Sequence, residues 1–130
     1  MLGGQEELGA RLARLEGDLE RLLSAPVLRF DERCRSSLPE DHGIYRIFDP
    51  LRPHVTVRAG RTKTAAGGLR QRVYQNHLMG DQRGNLCPQL VRAGLCSDLG
   101  AAKQYVRSTL ALHYLVVHDP DERTWLEYFM

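Results

Sequence analysis

The sequence predicts a mixed fold, α/β in the broad sense and α+β in arrangement: a small sheet of three strands flanked by helices, with an amphipathic helix at the N-terminal end. Three observations carry that expectation. Two short apolar or β-branched runs, residues 43 to 48 and 55 to 59, stand either side of a turn that holds Pro50 and Pro53, as two strands of a hairpin would. A third apolar run, residues 111 to 117, follows a helical stripe of Leu99, Ala102, Val106 and Leu110. Leu8, Leu12, Leu15, Leu19 and Leu22 recur at alternating spacings of four and three residues, which makes an a/d seam.

At 130 residues the chain is one domain with room for an appendage. It divides into an N-terminal leucine-seam helix over 1–26, a linker over 27–42 and a main domain over 43–130. An apolar content of 42% with 26% charged residues excludes a disordered chain. No apolar run has the length that a membrane span requires. Cys34, Cys87 and Cys96 are odd in number and form no CxxC pair. Without a signal peptide before them, they read as free thiols of a cytoplasmic protein rather than zinc ligands. The net charge of +2 permits a nucleic-acid partner without demanding one. Its distribution is more telling. Residues 52 to 72 hold six Lys/Arg (Arg52, Arg58, Arg61, Lys63, Arg70, Arg72) and no Asp or Glu. That is either a solvated face or a phosphate-binding surface.

Taken in order, the first helix spans residues 5 to 24 and stops before Pro26. Alone it is marginal in water, so its leucines need either the chain's own domain or a second copy, which makes a homodimer one of two arrangements. Residues 27 to 30 read as a short extended piece leading into a loop. In the first strand Ile44, Arg46 and Phe48 alternate with Tyr45 and Ile47, which makes Tyr45 a half-buried strand tyrosine. After the second strand, residues 63 to 68 form a basic loop of small residues whose backbone can approach a phosphate closely. A helix follows. At 100° per residue it places Leu69, Arg72, Val73 and Asn76 on one face, and Arg70, Tyr74 and His77 on an adjoining one. An arginine among core-facing residues either snorkels to the rim or meets something anionic. Gly80 ends this helix, residues 88 to 93 form a short one, and Asp98 caps the next. Beyond the third strand, Asp119 and Pro120 open a last helix over residues 122 to 129, which carries Glu127.

Gly43-Ile44-Tyr45, then Gly60-Arg61-Thr62, then Leu69-x-x-Arg72, then Leu126-Glu127 occur in that order across roughly residues 41 to 130. In these four pieces the chain resembles the GIY-YIG nuclease family. The resemblance implies an antiparallel arrangement of the three strands and a metal-dependent DNA endonuclease. It implies Tyr45 in water activation, Arg72 on the scissile phosphate, and Glu127 holding a divalent cation, Mg²⁺ or Mn²⁺. A hydrated Mg²⁺ takes only one or two protein carboxylates, so a single glutamate is chemically adequate. Arg58, Arg61, Lys63, Arg70 and Asn76 are candidate substrate-binding residues, and His77 a further catalytic candidate.

Three departures stand out. The second signature normally begins with Tyr, and the matching residue is Arg58, a permanent cation. Many members carry a His four residues after the helix arginine, where this chain has Asn76, with His77 one step further round. The family often has an Asn beyond its glutamate, and this sequence stops at Met130. Arg58 makes a catalytically inactive nucleic-acid-binding module the alternative reading. An interaction protein working through the leucine seam is a third.

Overall fold

The structure, a computed structural model, describes residues 2 to 130. The chain folds in the order α1 (Leu2–Ser24), β1 (Leu28–Arg29), α2 (Cys34–Ser37), β2 (Gly43–Phe48), β3 (Thr56–Arg61), a π-helix (Arg70–Leu78), α3 (Leu86–Arg92), α4 (Leu99–Thr109), β4 (Ala111–Val116) and α5 (Pro120–Phe129). The sheet has four antiparallel strands in the order β1-β4-β2-β3, not three. The added strand is the short extended piece: Leu28 pairs with Leu112 and Arg29 with Ala111. Two residues carry no period of their own, so only the partner strand reveals them.

Both faces of the sheet are covered, and the alternation along β2 sends its side chains to each in turn. Tyr45 and Ile47 enter a core with Leu69, Val73 and Leu78 of the π-helical segment and with Leu86, Leu90, Val106 and Leu110. Phe30, Cys34 and Leu38 belong to the same core. The stretch read as a linker is therefore built into the domain. On the other face Ile44 packs with Leu15, Leu22, Val117 and Leu126. The leucine seam thus divides. Its C-terminal half is buried against β4 and α5, and an Arg14–Glu122 ion pair of 3.1 Å fastens α1 to α5. Leu8 and Leu12 stay exposed. No helix among the described residues is long and apolar enough to cross a membrane.

Two local irregularities shape the surroundings of Tyr45 and Arg46. A bulge between β2 and β3 leaves Val57 unpaired, because Ile47 pairs with Arg58 and Phe48 with Thr56. The helix after the basic loop is wound as a π-helix, with the Met79 N–H reaching back to the Tyr74 carbonyl at 3.1 Å. Such windings are rare and concentrate at functional sites.

Candidate active site

The segments Gly43-Ile44-Tyr45 and Gly60-Arg61-Thr62 are fastened to each other before any site is formed. Gly43 N–H donates to Thr62 Oγ1 at 3.0 Å, and Thr62 N–H donates to the Gly43 carbonyl at 2.9 Å. Tyr45 pairs with Gly60 across the strands. The phenol lies over that glycine so closely that a Cβ there would sit 2.5 Å from the hydroxyl oxygen. Glycine at position 60 is therefore a steric requirement of the tyrosine. Gly68 opens the helix with φ of +50°, and a Cβ there would strike the Glu40 and Asp41 carbonyl oxygens.

A cavity of about 390 Å³ opens beside this staple. Tyr45, Arg58, Arg61, Lys63, Gln71, Arg72, Asn76 and Glu127 supply its functional side chains, from β2, β3, the loop, the π-helix and α5. The lining holds four cations and one carboxylate. Tyr45, Arg72 and Glu127, expected to share a site, all reach this cavity. So do Arg58, Arg61, Lys63 and Asn76. Arg70 does not. Its Nε donates to the Leu38 carbonyl and its Nη1 to Glu40, both at 2.9 Å, which fixes it to the segment before β2. Those donors hold the segment before β2 rather than face the cavity.

At His77 the helical wheel fails. At α-helical pitch this residue points away from Arg72. The wider π turn instead buries it completely and sets its Nε2 2.6 Å from the Tyr45 hydroxyl. It does not line the cavity; it sits behind the phenol. Its tautomer follows from its other neighbour. The Leu86 N–H donates to Nδ1 at 3.2 Å, so Nδ1 is the acceptor and Nε2 carries the hydrogen. Burial, with the charges of Arg72 and Arg58 adding to it, lowers the His77 pKa to about 3. His77 is therefore neutral and donates to the Tyr45 oxygen. The phenol's own hydrogen is left free for the cavity.

Burial raises the Tyr45 pKa above its ordinary value, Arg72 and Arg58 pull it back, and Glu127 adds to the rise. Arg58 is held in turn by Gln89 Oε1 at 2.6 Å and the Gly84 carbonyl at 3.3 Å. Asn76 Oδ1 accepts from Gln71 Nε2 at 3.2 Å. Glu127 forms a short ion pair with Arg61. Among the described residues no three His, Cys, Asp or Glu side chains gather as a metal cage.

One residue that organises this site escaped the sequence reading. Arg123, one turn before Glu127, is buried and donates to the carbonyls of Thr62 at 3.1 Å, Val117 at 2.8 Å, His118 at 2.9 Å and Lys63 at 3.3 Å. It ties the end of β3 and the basic loop to α5, and so sets Arg61 opposite Glu127. Its signal was present: an arginine three residues before the core residue Leu126 lies on the helix face that packs. Comparison of the chain with protein-family models, curated proteins and solved structures gave no match.

Proposed function

We propose that this chain is a GIY-YIG-type nuclease that hydrolyses phosphodiester bonds of DNA with a divalent cation. The observation that carries the reading is the convergence of Tyr45, Arg72 and Glu127, from three distant segments, on one cavity with a large excess of positive charge. A phosphodiester is the anion such a lining suits. Arg72 would hold two phosphoryl oxygens with its fork of donors and offset the charge that develops on them. Arg58, Arg61 and Lys63 would neutralise the phosphates on either side. The Tyr45 oxygen accepts from His77 and is within reach of the Arg72 guanidinium, leaving the hydroxyl hydrogen for the attacking water or a phosphoryl oxygen. Burial keeps the phenol protonated in the free protein. Its part in moving a proton therefore grows as the guanidinium groups favour the phenolate. Glu127 is the candidate metal ligand, and Asn76 supplies a neutral amide in the same cavity. One carboxylate beside open space fits a largely hydrated Mg²⁺ or Mn²⁺, which when bound supplies an acidified water and charge neutralisation.

The test is cleavage of supercoiled plasmid in Mg²⁺ or Mn²⁺, with Tyr45→Phe and Glu127→Ala as controls. Cleavage that survives both changes removes the proposal. A second reading, a nucleic-acid-binding module without catalysis, is favoured by one observation: Arg61 already occupies the cavity's carboxylate. Salt-sensitive DNA binding with no cleavage under either metal supports it. Within this proposal the protein is cytoplasmic, and the exposed Leu8 and Leu12 offer a second copy a short seam for a homodimer.

A further inference from the structure

The opposite face of the sheet carries a second cavity, of about 600 Å³, that the nuclease reading does not use. Its floor is built by cross-strand neighbours. Arg46 of β2 and His113 of β4 pair directly, and the bulge at Val57 brings Thr56 onto the same face. Leu19, Leu22 and Leu23 of α1 and Phe129 and Met130 at the end of α5 form the apolar walls.

Arg46 is only 6% exposed. Its Nε donates to Thr56 Oγ1 at 2.8 Å, its Nη2 to the Pro53 carbonyl, and its plane lies 4.8 Å from the Phe48 ring centre. Among the described residues it forms no ion pair. Its Nη1 donates to no protein group among them and is not enclosed, which leaves it open to the cavity. A buried guanidinium is costly to leave without an anion. Its neighbour offers none. Burial, the carbonyls of Ala25 and Pro26 opposing, lowers the His113 pKa, and Arg46 adds to that, so the ring is neutral. His113 stacks on Phe48 at 4.8 Å, and its Nδ1 is the one buried side-chain nitrogen or oxygen among the described residues without a partner. One unpartnered ring nitrogen thus stands beside a guanidinium that meets only neutral acceptors on the same cavity wall, a pattern that leaves room for an anionic partner.

We propose that this cavity is a ligand site for a small organic acid: a single carboxylate on an aliphatic or aromatic body. One guanidinium, with no second Arg or Lys in the lining, matches one carboxylate through its paired donors. The leucine and phenylalanine walls suit an apolar body and not a sugar phosphate. The volume lies within the usual range for small-molecule sites, about 300 to 1,000 Å³. The site stands on its own observations and does not depend on phosphodiester chemistry at the other face.

Octanoate is the probe, compared by calorimetric titration of the full chain with octanamide, which keeps the body, and acetate, which keeps the charge. Octanoate is expected to bind at least tenfold more tightly than either. Arg46→Met should remove the preference over octanamide, with the far-UV spectrum unchanged, and Arg72→Ala should leave it intact. If Arg46→Met does not fold, Leu23→Glu, a change at an exposed rim position, serves instead by repelling the carboxylate, and octanoate affinity should fall at least tenfold. Equal binding of octanoate and octanamide, no octanoate binding, affinity unchanged in Arg46→Met or Leu23→Glu, or loss in Arg72→Ala would each overturn the proposal.

Discussion

Replacing Arg61 by glutamine should improve binding of a divalent cation. Glu127 is the only carboxylate of the Tyr45 cavity, and it is paired with Arg61. A cation that takes Glu127 must first displace that guanidinium. The two side chains are 26% and 38% exposed, so solvent screens the pair well. Pairs of that kind are worth about 1 kcal/mol at most, and about 1 kcal/mol is roughly a fivefold change in a binding constant.

The assay is titration with Mn²⁺ in the absence of nucleic acid, following free Mn²⁺ by electron paramagnetic resonance. Arg61→Gln should bind more tightly than the parent chain, by up to about fivefold, and Glu127→Ala should lose the site. Removing any nearby cation helps a dication somewhat, so Lys63→Gln is the comparison. Lys63 lines the cavity without forming an ion pair to Glu127, and its loss should help less. If Lys63→Gln and Arg61→Gln act alike, the pair is not a latch and only net charge matters. If Glu127→Ala binds Mn²⁺ as the parent does, Glu127 is not the ligand.

Four further outcomes are expected from the same geometry. His77 titrates near 3 when folded against 6.5 for the free side chain, so protons favour the unfolded chain between those values. Stability should be complete above about pH 6.5 and fall at lower pH by up to about 1.4 kcal/mol per unit. Urea unfolding of His77→Gln should show a flatter slope. Gly60→Ala must push the Tyr45 ring aside, costing about 1–3 kcal/mol by overpacking and, under the nuclease reading, abolishing cleavage; thermal unfolding and the plasmid assay check both. Leu15→Ala and Leu22→Ala, in the buried half of the seam, should each cost about 2–5 kcal/mol in urea unfolding, while Leu8→Ala should stay within about 0.5 kcal/mol. Burial raises the thiol pKa of Cys34 to about 12 and that of Cys87 to about 11, and Cys96 is the least buried of the three. A disulfide reagent should therefore modify Cys96 first and the other two only on unfolding.

How much the residues alone disclosed depended on whether a feature was local. β2 was legible to the residue because Gly43 opens it and Asp49-Pro50 closes it. β3 runs to Arg61, two residues beyond the expected end, because Thr62 is stapled to Gly43 and keeps the strands paired. β1 was not legible as a strand, since its pairing with β4 bridges more than eighty residues of chain. The leucine seam was legible as a helix, but its division into a buried and an exposed half is set by where α5 begins: Arg14 pairs with Glu122 in the first turn of α5, and Leu8 and Leu12 lie beyond it. Arg70 and Arg72 are two apart on one basic helix, and sequence offers no means of telling which spends its donors on Leu38 and Glu40. Long-range partners decided that.

The π winding has the largest consequence for the chemistry. An α-helix through the same residues could present Arg72 or His77 towards Tyr45, but not both, because five residues at 100° leave them far apart round the axis. The wider turn reconciles them: the guanidinium reaches the cavity and the imidazole backs the phenol. Once there, His77 has no freedom to act as a base towards Tyr45. Its Nδ1 is committed to the Leu86 amide, and two neighbouring guanidinium groups oppose its protonation. Under the nuclease reading, a proton leaving the phenol goes towards the cavity, the side on which Arg58, Arg72 and Glu127 lie. Where the resemblance expects a second phenol, this chain sets a fixed positive charge, held by Gln89, that favours the phenolate of the first. Under the nuclease reading, the departure replaces a group that could relay the proton by one that stabilises the charge left behind.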